Sequence, residues 1–479
     1  MVQVLSKLSP ITVTCKQYVH PWSDSCAKAT TGLYLYAIVD SLRIYATVYC
    51  LALLMRGKVP KLEDIKKTIK GILRSTAFLS FNAFGYSGSL CTLRYLMGHY
   101  NILTISGIPA FIASVMAILI ERPSRRPLLA LYVTNIATET VWKMMVTRNM
   151  VRNIPKGEIA IFAGSLAFLM TFFKAGYHKS ASSEHPDTIF SILKFVFGPH
   201  EEKDYAARSS QANSIHRAED NEQEASRLNR SWSYQKKSSS TLYNLVMQAL
   251  KLYKRFVYKI KCYYRHSACP HPFSCVYYTL QRSTKLFSIG LGFQMGLQLI
   301  FNLKTILKSP KSISSILFRQ KNLNIAMFLG GSSGLFTAIM CLLRRITNQD
   351  SALHAFPAGL IAGLAFNKYP DNTIALYVFW KLLQITYNLG VDKGYLPNVP
   401  GFIVFLYSLS TAILFHAGLV EPLTLRTSYW KFLHSISGGR ISIMDRKAMD
   451  VWGLDTSGAL QQVMQRTKSK PVLRYFLVE

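Results

Sequence analysis

Apolar residues gather into ten runs, near 33–55, 75–97, 102–120, 127–146 and 157–176, then 286–303, 323–343, 352–368, 373–389 and 399–418. A helix that crosses the hydrocarbon needs about 20 residues, so the runs beginning at 286, 352 and 373 are short. Where no water is present, backbone polar groups must be paired within the segment, and for this pattern that means helices. The predicted class is an all-α integral membrane protein. Some runs carry polar groups: Asp40 with Arg43, and Asn135, Thr138 and Glu139.

A different chain separates the two sets of runs. From about 200 to 240 it is polar, Ser-rich and almost free of aliphatics, which predicts a disordered linker. Two candidates for the membrane surface flank it. Residues 191–197 (SILKFVF) form a short apolar run with one lysine. Residues 242–265 repeat Leu242, Leu245, Val246, Ala249, Tyr253, Phe256, Val257 and Ile260 at helical spacing, with Lys251, Lys254, Arg255 and Lys259 in the later part. That pattern fits an interfacial helix on an anionic leaflet or a long approach to the next span.

The chain is written twice. His20-Pro21-Trp22-Ser23 with Cys26 recurs as His271-Pro272-Phe273-Ser274-Cys275. Cys91-Thr-Leu-Arg94 recurs as Cys341-Leu-Leu-Arg344, and Pro109 to Ala113 recurs as Pro357 to Ala362 with one residue inserted. Ala130-Leu-Tyr-Val133 recurs as Ala375-Leu-Tyr-Val378, and SILKF at 191 has a partner in SYWKF at 428. Five matches in the same order predict two homologous helical halves of about four to five spans each. The expected organisation is a first membrane half over 1–198, a linker over 199–241 and a basic Cys/His segment over 242–285. A second membrane half over 286–420 and a tail over 421–479 complete it. The first loop of each half, 56–70 and 304–321, is basic, and the positive-inside tendency wants both on one side. Four spans per half, with one segment lying on the surface, satisfies that tendency.

Composition agrees with a lipid setting. Half of the 479 residues are hydrophobic and 17% are charged, against about 25% charged in soluble domains. Lys+Arg outnumber Asp+Glu by 56 to 24, a net charge of +32. The basic residues sit in short segments between apolar runs, where they suit anionic lipid headgroups. No aromatic-interleaved basic groove is present, which argues against nucleic acid. The first twenty residues hold no uninterrupted apolar stretch, so no cleaved secretory signal is expected. Eight cysteines in so long a chain point to reduced thiols rather than a disulfide scaffold.

Few residues could carry chemistry. Cys15, His20 and Cys26 are mirrored by Cys269, His271 and Cys275, with Cys262 and His266 close by. Thiolate and imidazole at such spacing could hold zinc, with ligands pooled from both halves. The alternatives are a disulfide, or thiols buried as small apolar groups where Pro21, Pro270 and Pro272 shape the entry to each first span. Asn135, Thr138, Glu139 and Trp142 share a helical face. A carboxylate there should face the bundle interior, either in a solute or proton path or paired with a base such as Arg94. Asp40 and Arg43 can neutralise each other across i, i+3. Gly359-x3-Gly363 and Gly292-x3-Gly296 suit close helix packing. Arg344, Arg345 and Asp350 fit a polar turn in which Asp350 caps or pairs with an arginine, or a polar patch facing a cavity. No nucleophile–base pair, phosphate loop or zinc-protease motif is found, so neither an enzyme nor a cofactor is expected.

Gly334, Cys341, Arg344, Arg345, Asp350, Gly359 and Gly363 together resemble the signature of the mitochondrial inner-membrane import translocase superfamily: a Gly-rich span, a basic pair, an acid and a second Gly-rich span. Over its whole length the chain resembles the transmembrane protein 135 family, also called peroxisomal membrane protein 52. The residues that carry this are HPWSDSC from 20, the stretch 117–140, NQDSALHA from 348, LRTSYWKFL from 425 and MDRKAMDVWG from 444. The resemblance implies a multi-pass protein of mitochondrial and peroxisomal membranes, linked to the balance of mitochondrial fission and fusion, peroxisome organisation and lipid handling. It implies no catalysis. Partners would be anionic membrane lipids and organelle-division or import proteins. Gln384 stands where the second half should repeat Glu139, which weighs against a symmetric two-carboxylate site. The alternatives are a transporter or channel between the halves, or an import-translocase accessory.

Overall fold

A computed structural model describes residues 9–55, 60–177, 188–202, 241–302, 309 and 321–469. Helices dominate these residues, and each of the ten apolar runs contributes a helix. The principal helices are α1 (Cys26–Met55), α2 (Leu62–Met97), α3 (Gly107–Ile120), α4 (Arg126–Thr147), α5 (Gly157–Ala175), α6 (Thr188–Phe197) and α7 (Thr241–Lys261). They continue as α8 (Cys275–Phe301), α9 (Lys321–Thr347), α10 (Ala355–Gly363), α11 (Asn372–Asp392), α12 (Phe402–Val420), α13 (Thr427–Ile436) and α14 (Thr456–Thr467). Five of them, α1, α5, α9, α11 and α12, are long and apolar enough to cross a membrane.

Local chemistry sets the ends. Asp64 Oδ2 accepts the Lys61 backbone N–H at 3.3 Å where α2 begins. Gly98 closes α2 at φ 73°, a left-handed conformation that costs a residue without Cβ nothing. Ser274 caps α8 by accepting the Tyr277 N–H at 3.2 Å. Asp371 caps α11 with Oδ1 bonds from the Thr373 and Ile374 N–H groups at 2.8 and 3.1 Å.

The helices form two compact units that do not follow chain order. One unit comprises 1–154 with 398–479, the other 155–397. In the first, α1 packs on α2, α2 on α3, and α12 lies against both α3 and α4. In the second, α8 packs on α9, α9 on α10, and α5 lies against both α10 and α11. The same succession of contacts is therefore made twice, and each unit takes its fifth helix from the other stretch of chain. Helix α13, which carries SYWKF, belongs to the first unit, and α6, which carries SILKF, to the second.

The first core is built on Leu90, Ile105, Ile118, Leu414 and Trp430, all essentially without solvent exposure. The second is built on Leu169, Met170, Phe336, Met340 and Phe366. In the second unit a Cβ on Gly359 would sit 2.8 Å from the Ala167 Cα, and one on Gly363 closer still to the Ala163 Cα. Gly359 and Gly363 on α10 thus oppose Ala163 and Ala167 on α5, two small residues a turn apart on each helix. That is how helix backbones approach when the surroundings offer no hydrophobic drive. Gly292 and Gly296 meet nothing within 4 Å, so this second glycine pair does not serve close packing within its unit.

The polar segment expected to be disordered from 199 is ordered as far as Glu202. Residues Pro199–Glu201 form a short helical turn, and Glu201 is fully buried. The remainder, 203–240, lies outside the described residues, as does most of the basic loop 304–321.

Candidate functional site

Each unit gathers three cysteines and one histidine at the mouth of its helical hairpin. In the first unit they are Cys15, His20, Cys26 and Cys91; in the second, Cys269, His271, Cys275 and Cys341. Within each group the nitrogen and sulfur atoms all lie within 4.8 Å of one another. The chain builds the two groups alike. Two residues come from the segment leading to the hairpin, one opens its first helix (Cys26 of α1, Cys275 of α8), and one comes from the last turns of its second (Cys91 of α2, Cys341 of α9).

Both histidines are oriented by a backbone carbonyl. His20 Nδ1 is 2.8 Å from Ser23 O, and His271 Nδ1 is 2.7 Å from Phe273 O. A carbonyl only accepts, so Nδ1 carries a proton, and in the neutral ring Nε2 is left to offer its lone pair. His20 Nε2 lies 3.2 Å from Cys26 Sγ, and His271 Nε2 lies 3.4 Å from Cys341 Sγ. Cys269 Sγ and Cys275 Sγ are 3.7 Å apart, and both thiols are free. The His271 ring stacks on Tyr278 at 4.5 Å. A hydrogen bond from the Cys91 thiol, and a further one from Tyr100, hold the Cys15 thiol down at about 5, against the upward pull of burial. Cys269 is held at about 4, chiefly by a hydrogen bond from Cys341, with His271 adding to it. Each group can therefore present thiolate and imidazole to a metal ion, or oxidise to a disulfide.

The expectation that ligands would be pooled between halves is replaced by two complete sets, one per unit. Sequence reasoning missed Cys91 and Cys341 as members. A signal was available: Cys341 follows Cys91 by 250 residues, and His271 follows His20 by 251. Cys262 is exposed and stands outside the set. His266 also stands outside, its Nδ1 accepting the Ala268 N–H at 3.3 Å.

The basic–acidic hairpin resolves into a buried charge cluster in the second unit. Arg344, on α9, is fully buried and donates from Nε to Asp350 Oδ1 at 2.9 Å and from Nη1 and Nη2 to Glu201 at 3.1 and 2.5 Å. Lys174, at the end of α5, donates to Asp350 Oδ2 at 2.8 Å. Asp350 therefore pairs with an arginine as one of the two readings held. Arg345 is exposed and lies over the Tyr264 ring at 5.6 Å. Glu201 was not singled out by sequence reasoning, because it opens a stretch whose composition is that of a linker.

Glu139 is paired, though not with Arg94. Its carboxylate accepts from Lys143 Nζ at 2.7 Å and from Arg426 Nη2 at 2.5 Å. Arg94 instead reaches the carbonyls of Val13 and Thr12 at 2.9 and 2.8 Å, pinning the leading segment to α2. Asn135 is buried, Thr138 Oγ1 donates to the Thr134 carbonyl at 2.8 Å, and Trp142 is partly exposed. Gln384 lies in the other unit, where Lys381 Nζ donates to its Oε1 at 3.0 Å. Asp40 meets Arg43 at 3.5 Å as expected and also accepts from Ser435 Oγ at 2.6 Å.

The first unit also contains an apolar pocket between α1, α2, α12 and α13. Leu33, Tyr86, Phe415 and Leu433 line it, with His20 and Arg440 among its polar members. The Arg440 guanidinium is held over the Tyr36 ring at 5.7 Å and the Trp22 ring at 5.9 Å.

These features define an all-α membrane protein whose helical hairpins begin at cysteine- and histidine-bearing entries. Residues 12–146 match the family model described as the N-terminal cysteine-rich region of Transmembrane protein 135. The matched region holds all four members of the first cluster. No solved structure matches the chain.

Proposed function

We propose that this protein works in mitochondrial and peroxisomal membranes as a regulator of the fission–fusion balance, peroxisome organisation and lipid metabolism, without catalysing a reaction. It acts by binding membrane lipid and protein partners. The observation that carries the lipid part is the apolar pocket of the first unit, whose walls suit an acyl chain and whose Arg440 suits a lipid carboxylate or phosphate. Helix α7 adds a surface for anionic headgroups: Lys254, Arg255 and Lys259 are exposed on it beside exposed Tyr253 and Phe256.

A transporter reading has less in its favour, because Glu139, its best intramembrane carboxylate, is taken up by Lys143 and Arg426. An import-translocase accessory would need the Arg344–Asp350 hairpin free for partners, and Arg344 is spent on Glu201 and Asp350.

The test is capture of a photoactivatable fatty acid by the purified full-length protein, run beside rescue of organelle morphology in cells lacking it. Ala83 lines the pocket, and Ala83→Phe should fill it. The variant is expected to reach the organelles, lose most capture and rescue poorly. Capture and rescue equal to wild type would sink the lipid-pocket reading.

A further inference from the structure

We propose that each compact unit binds one Zn²⁺ through three cysteines and a histidine: Cys15, His20, Cys26 and Cys91 in one, Cys269, His271, Cys275 and Cys341 in the other. Four ligands of this type fill a tetrahedral shell, so both sites are closed and structural rather than catalytic.

Distances favour a metal over the other two fates. Zinc bonds of about 2.3 Å to sulfur and 2.0–2.1 Å to nitrogen place tetrahedral sulfurs about 3.8 Å apart, and sulfur and nitrogen about 3.6 Å apart. The separations in the structure are 3.7 Å for Cys269–Cys275 and 3.4 Å for Cys341–His271, with 3.2 Å for Cys26–His20. A disulfide would draw in two sulfurs and leave a third cysteine and a histidine without purpose. Inert buried thiols would not need an imidazole aimed at them from a fixed direction.

The histidine settings are the second observation. His20 and His271 are 2% and 0% exposed, and each has its Nδ1 tied to a carbonyl two or three residues on. Outer-shell bonds of this kind fix the tautomer and aim Nε2 at a metal. Two sites reach the same arrangement from different spacings, four and five residues between ligands in one entry, one and three in the other. Soft thiolates with one imidazole select zinc among common divalent ions.

Zinc would act as a clip. In each unit it joins the segment before the hairpin to the start of the first helix and the end of the second. In the first unit Arg94 and the Ile11–Tyr100 backbone pairing hold the same segment, so the metal completes an anchor already begun.

The test is metal analysis of full-length protein purified in detergent under reducing conditions, by inductively coupled plasma mass spectrometry. Two zinc ions per chain are expected. C91S and C341S should each keep one, the double variant none, and C50S and C262S, outside both clusters, two. If the cluster variants fail to fold, the wild-type protein still decides the matter: a chromogenic chelator should release two zinc ions and lower the unfolding temperature. Absence of zinc after it is supplied to reduced protein would overturn the proposal, as would stoichiometric iron or copper, or a Cys269–Cys275 disulfide in non-reducing peptide maps. One zinc per chain would overturn the paired assignment.

Discussion

Arg344 and Glu201 stand 143 residues apart in the chain and meet inside the second unit through two parallel hydrogen bonds of 3.1 and 2.5 Å, with neither side chain exposed. Such a pair offsets the cost of taking two charges out of water only while both members are present. Glu201→Gln or Arg344→Met should therefore cost about 3–5 kcal/mol. The doubly apolar E201L/R344M chain should recover part of that, since no uncompensated charge remains between those two positions. Thermal unfolding of the detergent-solubilised protein, followed by the fluorescence of a fused reporter, reads both effects. Single variants as stable as wild type would mean that Lys174 and Asp350 carry the cluster without this pair.

The same carboxylate gives the protein a defined acid sensitivity. Burial alone would raise the Glu201 pKa, but Arg344, and Lys174 after it, hold it down at about 2 against an ordinary 4.5. A folded-state pKa below the unfolded one contributes stability that is present above 4.5 and is lost as pH falls toward 2. Wild-type unfolding temperature should thus drop more steeply across that window than that of E201Q, which has no proton to take up there. Parallel curves for the two chains would remove Glu201 from the acid response.

Close approach of α10 and α5 makes a third prediction. A side chain at Gly363 meets the Ala163 backbone rather than a movable tip, so the helices must separate. Gly363→Val should cost about 1–3 kcal/mol or more, whereas Gly292→Val, at a position open to 4 Å, should stay near wild type. Equal stability of the two variants would show that the small-residue face does not hold the second unit together.

What the sequence revealed and what it hid have physical causes. Runs of apolar residues mark helices because lipid leaves the backbone no other partner, so α1, α5, α9, α11 and α12 were all legible. Gly359 and Gly363 were legible as a packing face, though not the fact that Ala163 and Ala167 of α5 lie beneath them. That fact depends on which stretch of chain supplies the fifth helix, and hydropathy carries no such information. Composition describes a segment on average, which is why Glu201 vanished into a polar linker. Cys91 and Cys341 lay 65 and 66 residues from the nearest cysteine proposed as a ligand. They could be joined to the clusters only by treating the two halves as one aligned pattern.

Glu139 decides between a structural and a transport role for the polar face of α4. Its carboxylate is 11% exposed and serves Lys143 and Arg426 at once. A hydrogen bond to a charged group contributes about 1.5–3 kcal/mol, so Glu139→Gln should lower stability by about 2 kcal/mol. Arg426→Gln should cost a similar amount, and the double variant less than the sum, because the two changes remove one shared interaction. Lys143, 41% exposed and a turn away on the same helix, should contribute less than Arg426, since surface pairs are worth at most about 1 kcal/mol. Unfolding measurements on the four chains yield the coupling. If E139Q instead kept full stability and correct localisation while abolishing flux of a solute in reconstituted vesicles, the carboxylate would belong to a transport path, and the regulator reading would yield to the transporter.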